Sequence, residues 1–320
     1  MNPSALHFSA CNRVQSFIVP ATGLYRIEAA GAQGGPGGGP GGRGARIAGT
    51  FALKQGDRLC IVVGRRGGAG QRPQHATGGG GGGSFVWKET RSGSRPEYPL
   101  LAAGGGGGGD GGDGRAGNEG GAGGGSGGRE GCGGQTDSVN FHYSGGGGAG
   151  WLTRGESGCL PTRCGGGSHW KGGEGANYGG FFGGDGGFGG GGGGSFFGHG
   201  SGGGGGYSGG GGGTENGPGA GGGGSFNAGT DQVNVGGLQL GDGHVTIVSV
   251  PTPDSSDSRS ATQPGRSQAG QRPAARPAPA SRPSPLNTTA DLTDAGLDAL
   301  AADPAAHTRW MEPRDFPQKN

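Results

Sequence analysis

Apolar side chains are scarce in this sequence. Hydrophobic residues occupy 28% of 320 positions, too few to fill a conventional core over that length. The longest apolar cluster, residues 59–63, falls far short of the ~20 residues a membrane-crossing helix needs. The opening residues 1–7 carry neither the cationic nor the apolar part of a signal peptide, which taken literally argues against secretion. Charge of one sign is missing as well. A net charge of +2 from 25 basic and 23 acidic residues leaves no electrostatic footprint for nucleic acid, and only Arg66-Gly67-Gly68 reads as an arginine-glycine triplet.

Catalytic signatures are also lacking. No Gly-Lys-Ser/Thr completes a phosphate loop, no Ser/His/Asp set has the spacing of a nucleophile, and the Val-Ala-Ile-Lys and His-Arg-Asp motifs of a kinase are missing, while Asp315-Phe316 runs into Pro317. Gly-x-Gly-x-x-Gly recurs by composition, with no helix-forming stretch after any copy. The expectation is a chain with no catalytic residue, no cofactor and no metal.

What the chain has is glycine. Of its 94 glycines, all but Gly23, Gly265, Gly270 and Gly296 lie between residues 31 and 250. Three tracts end in the same Gly-Gly-Gly-Gly-Ser-Phe, closing at Phe85, Phe196 and Phe226. Glycine loses more backbone freedom on folding than any other residue, so these tracts are either flexible filler or a core made of closely packed backbone. Glycine is not strictly every third residue, as His199 and Ser201 show, which disfavours a collagen triple helix. Left-handed helices with three residues per turn could instead lie side by side and exchange backbone hydrogen bonds. Aromatics such as Trp151, Trp170, Phe188, Phe196 and Tyr207 would then sit at tract ends or on outer helices.

Strand signals flank the tracts. Residues 15–20 and 24–29 look like a hairpin, residues 45–53 and 58–64 like a second with a more buried return strand, and residues 84–88 and 98–103 like a third pairing. The run at residues 242–250 is expected to return to the first sheet of an antiparallel sandwich. The domain is therefore residues 8–250, with a strand-forming host at 8–103 plus 242–250 and a polyglycine insertion at 104–241. Residues 251–320 hold 11 of the 20 prolines and read as a disordered Pro/Ala/Arg/Ser-rich tail, with a short helix plausible at residues 291–302. Asn287-Thr288-Thr289 is a candidate glycosylation acceptor if the chain is secreted.

Several segments carry a specific resemblance. Val19-Pro20-Ala21-Thr22-Gly23-Leu24-Tyr25-Arg26-Ile27, Gly31-Ala32-Gln33-Gly34-Gly35, Leu53-Lys54-Gln55-Gly56-Asp57-Arg58-Leu59, Pro99-Leu100-Leu101-Ala102-Ala103 before six glycines, and Gly243-His244-Val245-Thr246-Ile247 are similar to the glycine-rich ectodomain of the anaplastic lymphoma kinase and leukocyte tyrosine kinase receptors. The match spans about residues 8–250 in order. The resemblance implies an all-β fold, a tumour-necrosis-factor-like antiparallel β-sandwich carrying an inserted bundle of polyglycine-II helices. It further implies an extracellular or cell-surface module that binds a small cytokine-like protein ligand and supports a homodimer. The chain departs from the full receptor in showing no growth-factor-like module, membrane span or kinase after Val250. A structural or adhesive glycine-rich protein without signalling is the alternative.

Five cysteines, Cys11, Cys60, Cys132, Cys159 and Cys164, are an odd count. A disulfide between Cys159 and Cys164 is favoured over free thiols or a zinc site with Cys132 and His169. Cys60, inside an apolar strand, reads as a small buried hydrophobe. Recognition by loops on a rigid sandwich points to residues 65–77 and 89–97 and to the charged turns at Asp110, Asp113, Glu119 and Glu130. Because the family's ligands are basic, the resemblance favours an acidic patch, and it assigns no individual contact residue.

Overall fold

The computed structural model describes residues 5–70, 77–93, 95–139, 143–159, 165–168, 170–178, 181–196, 200–215 and 219–251. The chain divides into two units, residues 1–258 and 259–320. The second unit lies outside the described residues, as do the expected tail beyond Pro251, its plausible helix and Asn287.

Among the described residues there is no α-helix. The strands in chain order are β1 (Leu6–Ser9), β2 (Gln15–Ile18), β3 (Gly23–Ala30), β4 (Gly44–Leu53), β5 (Arg58–Val62), β6 (Ser84–Lys88), β7 (Leu101–Ala103), β8 (Asn177–Tyr178), β9 (Phe181–Phe182), β10 (Phe226–Asn227), β11 (Thr230–Gln239) and β12 (His244–Val250). They form two five-stranded antiparallel sheets, β1-β12-β3-β4-β11 and β10-β7-β6-β5-β2, with β8 and β9 paired apart. The expected return of the last strand is present: β12 pairs with β3, His244 opposite Ala30 and Val250 opposite Leu24. The pairing of β6 with β7 is present too.

Two expected hairpins are not formed. β2 and β3 lie in different sheets, as do β4 and β5. Each is half of one long bent path, and the two paths stay paired around the corner: β3 lies against β4 in the first sheet and β2 against β5 in the second. Val19 holds the corner, donating its amide to Asp57 O and accepting from Gly56 N, both at 2.9 Å. The predicted turn at residues 54–57 does form, with Gly56 at φ +85° and Lys54 N donating to Asp57 Oδ2, but it changes sheet where a flat hairpin was expected. The physical reason is that the alternation continues through the bend, so Phe17 and Val19 meet Tyr25, Ile27 and Ala29 across one core. Three further strands of the two sheets, β1, β10 and β11, stand where none was expected, and so does the separate β8–β9 pair. β10 and β11 fall inside the segment read as insertion.

The core between the sheets joins Ile27, Ile47, Phe51 and Ile247 of the first to Leu59, Ile61, Val86 and Leu101 of the second. The second sheet is buried on its other face as well, where Cys60, Val62, Phe85 and Trp87 meet Trp151 and Tyr207 from the glycine region. This explains the near-continuous burial of β5 and β6. The outer face of the first sheet carries charge instead. There Arg46 and His244 both reach Glu28, at 2.6 and 3.2 Å.

The glycine tracts are ordered by their own amides, and the bonding partner changes with a three-residue cycle. In the tract after β7, Gly105 and Gly108 donate to Gly205 and Gly202, Gly106 and Gly109 donate to Ala32 and Gly35, and Gly107 donates to Gly112, at 2.8 to 2.9 Å. From residue 145 the pattern repeats: Gly145 and Gly148 reach Gly213 and Gly210, Gly146 and Ala149 reach Gly193 and Gly190, and Gly147 and Gly150 reach Glu156 and Thr153. Each tract is thus tied to several neighbours in turn. The mesh draws in residues 31–43, 64–70 and 77–83 of the host as well as the long segment after β7. At Gly204 a Cβ would fall well inside van der Waals contact distance of the Gly105 carbonyl oxygen, so only hydrogen fits.

Candidate ligand-binding cleft

The regions that sequence reasoning marked for recognition end in different surroundings. Within the segment at residues 89–97, Arg95 and the Glu97 carbonyl meet an aromatic cluster. Trp87 stacks on Trp170 with centroids 5.2 Å apart, Trp151 meets Trp87 edge-on at 5.7 Å, and the Arg95 guanidinium lies 4.4 Å from the Trp151 ring. Trp151 Nε1 donates to Glu97 O at 2.8 Å. Burial lowers the Arg95 pKa from its ordinary value, and its Nη1 has no hydrogen-bond partner. Cation–π attraction to the indoles is the compensating interaction on view.

The acidic turns serve the fold. Asp113 Oδ1 accepts from Arg43 N at 2.7 Å, the Asp110 carboxylate fills the space beside Gly39, Glu119 makes a loose, exposed ion pair with Arg129 at 3.8 Å, and Glu130 occupies a turn at φ +50°.

The loop after β5 has a different character. Its backbone is fixed at residues 65–68: Arg65 N donates to Phe188 O at 2.8 Å, Gly67 N to Gln33 O and Gly68 N to Asp185 O, while Arg66 N donates to Asp242 Oδ1 at 2.8 Å. With the main chain held, Arg65 and Arg66 line a cleft of about 670 Å³ together with Asn12, Gly68, residues 171–174 and residues 185–188. A second hollow of about 470 Å³ is lined by Arg13, Val14, Ser168, Trp170, Lys171 and Phe188. The two share Lys171 and Phe188. Asn12, which takes φ +54° in a left-handed region asparagine tolerates, belongs to the turn between β1 and β2 that brings Arg13 and Val14 here. The rest comes from the stretches around Trp170 and Asp185.

Four cations therefore line one surface against two carboxylates, Glu174 and Asp185. Asp185 is partly committed, its Oδ1 accepting from Gly175 N at 2.7 Å. None of the ion pairs among the described residues uses Arg13, Arg65, Arg66 or Lys171. Arg65 Nη1 has only a long contact, 3.5 Å, to Asn12 Oδ1. Sequence reasoning marked residues 65–77 but missed Arg13, Lys171 and the aromatic wall. The available signal was Trp170-Lys171 between glycine tracts, an aromatic beside a cation with no acidic neighbour in sequence until Glu174.

The cysteines divide clearly. Cys11, Cys60 and Cys132 are free, Cys11 and Cys132 exposed and Cys60 buried. Burial raises the Cys60 thiol pKa, with the nearby Glu89 acting in the same direction, consistent with an unreactive core position. Cys159 is fully buried, its Sγ 3.3 Å from Ser144 O. Its expected partner Cys164, and His169 of the zinc alternative, lie outside the described residues. Among those residues no group of three His, Cys, Asp or Glu could hold a metal ion. Comparison with protein-family models gives no match, and comparison with curated proteins gives none either.

Proposed function

We propose that residues 8–250 form a recognition module of the receptor-ectodomain kind, a tumour-necrosis-factor-like sandwich with an inserted bundle of polyglycine-II helices. It acts outside the cell or at its surface and binds a protein ligand. Ligand engagement supports homodimerisation, and no catalytic group lies in this chain. The observation that carries this reading is the mesh of glycine amides locked onto the second sheet through Trp151 and Tyr207. The three-residue cycle of partners supports left-handed helices of three residues per turn lying side by side. Such a lattice holds the surrounding segments rigid, and rigid presentation of polar groups is what recognition needs.

Two measurements on the full chain test the reading. Hydrogen exchange should find the amides of Gly105, Gly108, Gly145 and Gly148 protected, and rapid exchange there would remove the bundle. Peptide mapping of non-reduced protein secreted from eukaryotic cells should link Cys159 to Cys164 and find Asn287 glycosylated. A folded secreted protein with both cysteines reduced and Asn287 bare would count against an extracellular role.

A further inference from the structure

We propose that the cleft beside Arg66 and Lys171 binds an acidic peptide segment that carries an aromatic or aliphatic side chain. The proposal rests on reading the chain as a recognition module and names the ligand chemistry of its cleft. It also departs from the basic ligand that the sequence resemblance implies.

Charge is the first argument. Arg13, Arg65, Arg66 and Lys171 line the two adjoining hollows, and none of the ion pairs among the described residues includes them. An exposed cation without a fixed partner keeps its hydration and its attraction for an incoming carboxylate, so complementarity selects an anionic partner and speeds its arrival. Arginine adds geometry, since its planar fork matches a carboxylate in two parallel hydrogen bonds.

Shape and polarity then narrow the anion. Together the hollows are far larger than a single inorganic ion needs, and Val14, Trp170 and Phe188 give the smaller one an apolar wall. A ligand that used only charge would leave that wall wet. Glu174 and Asp185 also line the larger hollow and repel a uniformly anionic polymer such as nucleic acid or a sulfated glycan. A peptide with alternating acidic and apolar side chains satisfies both parts and leaves the carboxylates facing solvent or a backbone amide.

Backbone anchoring is the third argument. Because Arg65, Gly67 and Gly68 have their amides bonded to Phe188, Gln33 and Asp185, the cleft wall is ordered before any ligand arrives, and its ordering cost is met on folding.

The test uses the full chain and four probes: a ten-residue peptide alternating Glu or Asp with Phe and Leu, its Gln/Asn counterpart, its Lys counterpart, and a sulfated tetrasaccharide. Binding is read by calorimetry and by quenching of tryptophan fluorescence. The acidic peptide should bind, should weaken as salt shortens the screening length, and should lose affinity by ~10-fold or more with Arg66→Glu or Lys171→Glu, about 1.4 kcal/mol for each factor of ten. Arg129→Glu, at an exposed position elsewhere, should leave binding unchanged, and the two cleft variants should keep the parent's unfolding temperature because neither Arg66 nor Lys171 belongs to an ion pair among the described residues. No binding of the acidic peptide, or equal binding by the cleft variants, overturns the proposal. So does tight binding of the tetrasaccharide or of the Gln/Asn peptide in its place. Binding of the Lys peptide alone overturns the acidic-ligand assignment while leaving the recognition reading standing, which separates the two failures.

Discussion

The sandwich and the glycine mesh solve the same packing problem with opposite materials. Between the sheets, Ile27, Ile47, Leu59 and Ile247 fill space with side chains, and the backbone bonds within each sheet are made as a consequence. In the mesh the order is reversed: backbone fills the space, and the amides must pair tract to tract because nothing else lies between. A backbone hydrogen bond contributes a net ~0.5–1.5 kcal/mol, and glycine costs ~0.5–1 kcal/mol more than alanine in a fixed conformation. The two are of similar size, so the mesh is stable only when nearly every amide is used. A side-chain core tolerates small defects; a backbone core has no slack.

The seam between the two regions gives the largest expected effect. Trp151 is fully buried and packs on Phe85 and Trp87 of the second sheet, so Trp151→Ala should cost about 3–5 kcal/mol in denaturant unfolding, as much as removing a large side chain from the core between the sheets. Two separate unfolding transitions in that variant would instead show that mesh and sandwich are independent.

Next comes the mesh interior. Gly204→Ala places a Cβ against the Gly105 carbonyl and should destabilise by about 3 kcal/mol or more. Gly117, in the same long segment but with no atom near its Cβ position, should accept alanine within about 0.5 kcal/mol. Equal tolerance at both sites would mean that close backbone approach is not what holds the tracts.

The repeated hexapeptide permits a finer comparison. Ser84 Oγ donates to Ala30 O and accepts from Gly64 N, and Ser225 Oγ donates to Arg115 O and accepts from Gly104 N. Ser195 Oγ is equally buried yet has no partner. Replacing Ser84 or Ser225 with alanine should cost about 1–3 kcal/mol each by leaving buried groups unpaired, whereas Ser195→Ala should be neutral or stabilising in the same thermal-unfolding assay.

The smallest effect belongs to the outer face of the first sheet. Burial opposes ionisation of Glu28, but the hydrogen bonds and charges of Arg46 and His244 outweigh it and hold its pKa below the ordinary 4.5. A lowered carboxyl pKa contributes stability that is present above that value and lost as the pH falls through the lowered one. Glu28→Gln should therefore flatten the acid limb of the stability profile below pH 4.5 by less than about 1 kcal/mol, since the pair is partly exposed.

These regions also differ in how much of them the sequence reveals. The alternation of Leu24 to Ala29 and of Ala45 to Leu53 marks strands β3 and β4 directly, and the burial of β5 follows from its unbroken apolar run. Pairing is harder to read. Thr22-Gly23 has the chemistry of a hairpin turn, yet the buried Val19 ahead of it signals a corner, and only three-dimensional packing decides between them. β11 was hidden because Gly236-Gly237 interrupts its alternation and its Val233, Val235 and Leu238 face solvent. The cleft was hidden for another reason: Arg13, Arg66 and Lys171 lie in three distant stretches, and no spacing rule connects them.

The three-residue cycle of amide partners has a consequence for inheritance. Glycine codons form a monotonous template on which copying slips readily, adding or removing one unit at a time. Removing a single residue from the tract at residues 104–109 would turn every later amide toward the wrong neighbour, whereas removing three would shorten the tract and leave the directions intact. The mesh therefore sets a reading frame of its own above the genetic one, in which a one-residue deletion should disturb the amide pairing more than a three-residue deletion.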